Sequence, residues 1–186
     1  MRIITGKHKG MQLKTVPGEH TRPTMDRVRE SLFSILGSFG EGANVLDLFA
    51  GSGSLGLEAL SRGASSVTFV ESNRTVADVL RFNVEKTGSK SCTILQGPVE
   101  RVVPRLGARK QTFDLVFMDP PYRMGKVLPT LQILVRRNLL SPAARVVVEH
   151  EKSLRVPVDL ELLFRADQRK YGDTQITFYA MLAQEV

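Results

Sequence analysis

The amino-acid sequence predicts an α/β fold built on a doubly wound, mostly parallel sheet. Three observations point there. From residue 44 onward, short apolar runs alternate with amphipathic stretches, the order expected of a sheet covered by helices on both faces. A glycine-rich turn, "AGSGSLG" at 50–56, joins the first apolar run to the first amphipathic stretch, as strand-to-helix turns of such sheets do. The chain closes with two strand-like runs around "YGDT" at 171–174, which adds an antiparallel hairpin at one edge. Counting these runs gives seven strands.

The elements follow in order. "RIITG", "KHKG" and "MQLKTV" read as a short basic β-hairpin, and "PGEHTRPT" as a loop. "MDRVRESLFSIL" places Val28, Leu32, Phe33, Ile35 and Leu36 on one helical face, with Thr24 as its N-cap. "NVLDLFA" is a buried strand. "GSGSLGLEALSRG" is a turn and a helix, closed by Gly63. Next come the strand "SVTFVE", the helix "NRTVADVLRFNVEKTG", the strand "CTILQ", the short helix "VERVVPRL" and the strand "FDLVFMD". "GKVLPTLQILVRRNLL" is helical, with Pro129 in a first turn that tolerates it. "ARVVVEH" is a fifth strand. Two units result, a basic hairpin over 1–20 and a single α/β domain over 21–186.

Composition narrows the class. The chain has 186 residues, 42% hydrophobic and 24% charged, enough for one sizeable core. No apolar run approaches the roughly 18–20 residues of a membrane span, and "MRIITGKHKGMQ" has no signal-peptide core. Cys92 is the only cysteine, so no internal disulfide can form. His8, His20 and His150 lack metal-ligand spacing, so no metal is expected. These features fit the reducing cytoplasm. The net charge is +7. Residues 1–29 hold Arg2, Lys7, Lys9, Lys14, Arg22, Arg27 and Arg29 against only Glu19 and Asp26. A basic arm of this kind suits a phosphate backbone.

Gly51, Gly53 and Gly56 form a G-x-G-x-x-G match between a strand and a helix, and Glu71 ends the next strand. That context suits a cofactor with a ribose, whose hydroxyls the acid accepts. Asp47, expected at the mouth of the site just before the turn, would repel a pyrophosphate. It suits a cofactor that carries an ammonium group and no phosphate. S-adenosylmethionine meets both conditions.

"DPPY" at 119–122 follows the fourth strand. In a doubly wound sheet that loop opens beside the first strand, next to the glycine turn. It offers the Asp119 carboxylate, the Pro120 carbonyl, a second stiffening proline at Pro121 and the Tyr122 ring. Two acceptors and a flat face suit a planar amine conjugated to an aromatic or carbonyl system. They hold both N–H bonds and aim the nitrogen lone pair at a sulfonium methyl, so that positioning is the main lever.

The blocks "RIITGKHKGMQL", "TRPTMDRVRESLFSIL", "VLDLFAGSGSLGLEALSRGASSVTFVE", "DLVFMDPPY" and "RKYGDT" together resemble the bacterial RsmD family, the guanine-N2 methyltransferases of 16S ribosomal RNA. The resemblance covers nearly the whole chain and implies a Rossmann-like methyltransferase fold. It implies that Asp47, Phe49, Ala50, Gly51, Ser52, Gly53, Glu71, Ser72 and Val99 line the S-adenosylmethionine site. Arg22, Pro23 and Thr24 would close over the methionine end. Asp119, Pro120, Pro121 and Tyr122 would hold the guanine amine. Arg2, Lys7, Lys9 and Lys14 would contact ribosomal RNA, within an assembling small subunit and with the enzyme acting as a monomer. A guanine in structured RNA is stacked or paired and must be splayed into such a pocket.

One departure stands out. Many such enzymes carry Asp or Asn after the third strand for the adenine amine, whereas "LQGPVE" places Pro98 there. Adenine recognition would then fall to the Val99 backbone and to apolar packing. Two other substrates fit the same loop: the N6 amine of adenine in nucleic acid, and a glutamine side chain in a protein.

Overall fold

The structure, a computed structural model, describes residues 1–16, 23–121 and 125–182, with residues 23–25 described in backbone only. Helix α1 spans Pro23–Leu36. Then β1 (Asn44–Leu48), α2 (Ser54–Ser61), β2 (Ser66–Glu71), α3 (Arg74–Thr87), β3 (Cys92–Gln96), α4 (Val99–Ala108), β4 (Phe113–Met118) and α5 (Val127–Arg136) alternate. The chain finishes with β5 (Leu140–Glu151), β6 (Asp159–Leu160), β7 (Leu163–Tyr171) and β8 (Thr174–Met181). They form one eight-stranded sheet in the order β3-β2-β1-β4-β5-β8-β7-β6. The first five strands are parallel, and β8, β7 and β6 add antiparallel pairs at one edge.

The apolar runs are continuous because both sheet faces are covered. Leu46, Leu48, Val116 and Met118 pack on one side with Val103 of α4 and Leu131 of α5. Val45, Phe69, Leu115 and Phe117 pack on the other with Leu32 and Phe33 of α1, Leu57 of α2 and Leu80 of α3. Alternation along β1 therefore turns Asp47, like Val45, toward α2. The carboxyl ends of β1 and β4 lie side by side, since Asp47 pairs with Phe117 and Leu48 with Met118. The chain leaves β1 toward β2 and leaves β4 toward β5, in opposite directions across the sheet, which opens a crevice between them.

The structure departs from the sequence reading in four places. The sheet has eight strands rather than seven, because the two-residue β6 is too short to leave a period-two pattern. Helix α1 begins at Pro23, so Thr24 lies inside its first turn and is not the N-cap. Proline is favoured there because its fixed φ suits a helix and its missing N–H costs nothing. Helix α5 stops at Arg136 rather than at 140. Asn138 takes a left-handed φ of 51°, which ends the helix and leads through the buried Leu139 into β5 at Leu140. The N-terminal hairpin contains one isolated bridge, Arg2 to Gln12, held by Ile3 N–H to Met11 O and Leu13 N–H to Met1 O, both 3.0 Å.

Candidate active site

The turn after β1 is braced from below and from the side. Phe49 has a left-handed φ of 58° although it is not glycine. Ala50 N–H donates to Val70 O at 3.0 Å, and Gly53 N–H to Ala50 O at 2.8 Å. Glu71 at the end of β2 accepts from Gly51 N–H at 3.0 Å and from Asn73 N–H at 2.8 Å. Its carboxylate thereby ties the glycine turn to the start of α3. The buried Asn83 of α3 donates to Ser52 O at 2.9 Å. Two glycines are required by close approach. A Cβ on Gly53, where φ is 84°, would lie 2.4 Å from Leu80 Cδ1. One on Gly56 would lie 2.4 Å from Phe69 Cε1 and 2.9 Å from Asp47 Oδ2.

Asp47 is not at the mouth. It is 3% exposed and lies beneath the turn, where Oδ2 accepts from Gly56 N–H at 2.8 Å. Burial pushes its carboxyl up to about 8; the Gly56 bond opposes this and the Glu71 charge adds to it. The expectation placed it next to the turn correctly but missed that the β1 alternation points it inward.

Above the turn lies a cleft of about 90 Å³. Phe49, Val70 and Ser72 form one wall, Pro98 and Val99 the second, and Pro121 and Lys126 the third. Four predicted residues, Phe49, Ser72, Val99 and Pro121, meet there, and Glu71 and the glycines adjoin them. Asp119 leaves β4 exposed, Pro120 is buried and Pro121 is exposed. Arg22 and Tyr122 lie outside the described residues, as do the side chains of Pro23 and Thr24. Pro98 also lines the cleft. Lys126 was not foreseen. Its Nζ lies 2.7 Å from Oε1 of Glu100 in α4, and that contact holds the Glu100 carboxyl below its ordinary value. The pair ties the start of α5 to α4, beside the Pro98–Val99 wall. No local spacing signals a contact between residues 100 and 126.

The basic arm is docked on α2. Fully buried Glu58 accepts from Ile4 N–H at 2.7 Å, Thr5 N–H at 3.1 Å and Arg62 Nε at 2.8 Å, with Arg29 Nε at 4.0 Å. Lys7 N–H donates to Ser61 O at 2.7 Å. Asn83 exchanges hydrogen bonds with the Lys14 backbone at 2.8 and 2.9 Å, so one side chain holds both the arm and the glycine turn. The side chains of Arg2, Lys7, Lys9 and Lys14 are all exposed. Among the described residues no acid, His or Cys cluster could hold a metal, and no helix is long and apolar enough to cross a membrane.

The family model described as "Conserved hypothetical protein 95" matches residues 1–180. A ribosomal RNA small subunit methyltransferase D from Haemophilus influenzae is 39% identical over 155 residues, 82% of this chain and 79% of that protein. The chain belongs to the RsmD family. A putative rRNA methyltransferase from Bacillus subtilis is 34% identical over 180 residues, 96% of this chain and 98% of that one. Among solved structures, a putative methyltransferase from Escherichia coli matches with a TM-score of 0.86 at 33% identity, over 99% of both chains. The RsmD-family fold is thus present from the hairpin through β8, and the Rossmann-like methyltransferase expectation holds.

Proposed function

We propose that this chain transfers a methyl group from S-adenosylmethionine to the exocyclic N2 amine of a guanine in 16S ribosomal RNA, in the cytoplasm. The observation that carries the reading is the cleft between the glycine turn and the D-P-P loop, at the adjacent carboxyl ends of β1 and β4. Relatives named as ribosomal RNA methyltransferases support the substrate class.

The residues fit this cofactor better than a dinucleotide. Gly51 N–H is committed to Glu71 rather than aimed outward, so the turn is no anion cradle. The Glu71 carboxylate lies beside it, which disfavours a pyrophosphate and suits a ribose. Phe49, Val70, Pro98 and Val99 offer apolar faces to an adenine, and the Glu71 oxygens keep lone pairs for hydroxyl donors. Arg22, Pro23 and Thr24 would close the methionine end. When bound, the cofactor supplies an electrophilic methyl on a sulfonium.

The chain's own work is positioning. Asp119 and the Pro120 carbonyl accept the two amine N–H bonds. Tyr122 covers the face of the base, and the prolines keep the acceptors from rotating away. The nitrogen lone pair then points into the cleft, and the Asp119 charge offsets the positive charge that develops on nitrogen. The basic arm brings phosphates to the same side.

Labelled S-adenosylmethionine incubated with undermethylated small ribosomal particles, naked 16S RNA, DNA and protein extract tests the reading. Label should enter the ribosomal RNA. Label in DNA or protein alone would overturn it and favour the adenine or glutamine substrate.

A further inference from the structure

One cavity among the described residues lies apart from the cleft of the reading above. It measures about 340 Å³ and lies between the N-terminal hairpin and α1, within the ~300–1,000 Å³ range of small-molecule sites. Arg2, Ile4 and Lys9 line it from the hairpin, and Asp26, Arg27 and Glu30 from α1. Lys9, Arg27 and Glu30 are exposed, and no ion pair joins any of them to a described residue. Uncommitted charges of both signs therefore converge on one concave site.

The groove is preformed. Arg29, 5% exposed, lies behind it. Its Nη2 donates to the Arg2 carbonyl on the hairpin wall and, at 3.0 Å, to Asp26 Oδ1 on the helix wall. One buried guanidinium thus locks both walls, and Glu58 backs it at 4.0 Å. Pre-organisation of this kind removes an ordering cost from binding. The groove is also fixed relative to the cofactor turn, because Asn83 holds both Lys14 of the hairpin and Ser52 of the turn. Asp26 and Arg27 follow Thr24 by two and three residues, about 3–5 Å along the helix axis.

The geometry points to a subsite for one nucleotide of the RNA flanking the target guanosine. Its phosphate would lie among Arg2, Lys9 and Arg27, and its base edge would donate N–H bonds to Asp26 and Glu30. A bare polyphosphate would be repelled by the two acids, whereas a phosphodiester with a base beside it uses both signs. The inference rests on the RNA-methylation reading and extends it to Asp26, Arg27 and Glu30, which that reading does not use.

The test uses the full chain with undermethylated small ribosomal particles. Lys9→Ala combined with Arg27→Ala should raise KM for the particles about tenfold. It should also flatten the salt dependence of binding by about one to two contacts' worth, each ~0.7–0.9 in log–log slope. KM for S-adenosylmethionine and the melting temperature should not move. Glu30→Gln should weaken particle binding with no change in salt slope, since it removes no cation. Arg101→Ala, an exposed cation on α4 outside the groove, should change neither quantity. If the double variant binds and titrates with salt as wild type does, or if Glu30→Gln binds unchanged, the subsite is wrong. Failure of wild type to methylate the particles would instead remove the functional reading beneath it.

Discussion

Replacing Asp47 with asparagine removes one titrating proton from the middle of the fold while keeping an oxygen acceptor for Gly56. Burial holds the native carboxyl at about 8, whereas an unfolded aspartate titrates near 3.9. Below both values each state is protonated, and above both each is ionised. Between them the native state keeps a proton that the unfolded chain has lost, so stability falls as pH rises. The slope approaches ~1.4 kcal/mol per pH unit, giving about 3 kcal/mol between pH 5 and pH 7.5. Urea unfolding across that range should show wild type losing stability relative to Asp47→Asn by this order. A difference that stays flat with pH would refute the buried, protonated Asp47.

Four further outcomes follow from the geometry. Gly53→Ala combines a left-handed φ with a Cβ 2.4 Å from Leu80 Cδ1; thermal unfolding should show a loss of about 2–4 kcal/mol. Glu58→Gln removes one of the two carboxylates facing the buried Arg29 and weakens the Glu58–Arg62 pair, so urea unfolding should show a loss of ~1–3 kcal/mol, with faster exchange of the Ile4 and Thr5 amides. Asp119→Ala should cut kcat on the particles about 100-fold or more while S-adenosylmethionine still binds; near wild-type turnover would remove its amine-holding role. Lys126→Met breaks a partly exposed pair with Glu100. Stability should change by less than about 1 kcal/mol, while KM for S-adenosylmethionine rises a few-fold in a salt-dependent way.

The sequence reading located what local patterns encode. Strands β2 and β3 fall on "SVTFVE" and "CTILQ", because apolar runs between turns leave few alternatives for a covered sheet. The same holds for α3, whose end at the left-handed Gly88 is visible in sequence as the glycine that closes "NRTVADVLRFNVEKTG". Contacts between distant segments were not legible. The inward turn of Asp47 depends on which face of β1 meets α2. Glu58 reads as an ordinary helical acid until the hairpin, more than fifty residues away, delivers two amides to it. Lys126 and Glu100 meet only because the loops after β3 and β4 converge over the cleft. The cleft itself was legible, since the strand order that joins "AGSG" to "DPP" follows from the topology of doubly wound sheets.

The most direct measurement is nucleoside analysis of 16S ribosomal RNA from undermethylated small subunits after reaction with this chain and labelled S-adenosylmethionine. The account predicts that all label co-elutes with N2-methylguanosine and that Asp119→Ala slows its appearance about 100-fold or more. Label in N6-methyladenosine, or in any nucleoside other than N2-methylguanosine, would contradict it.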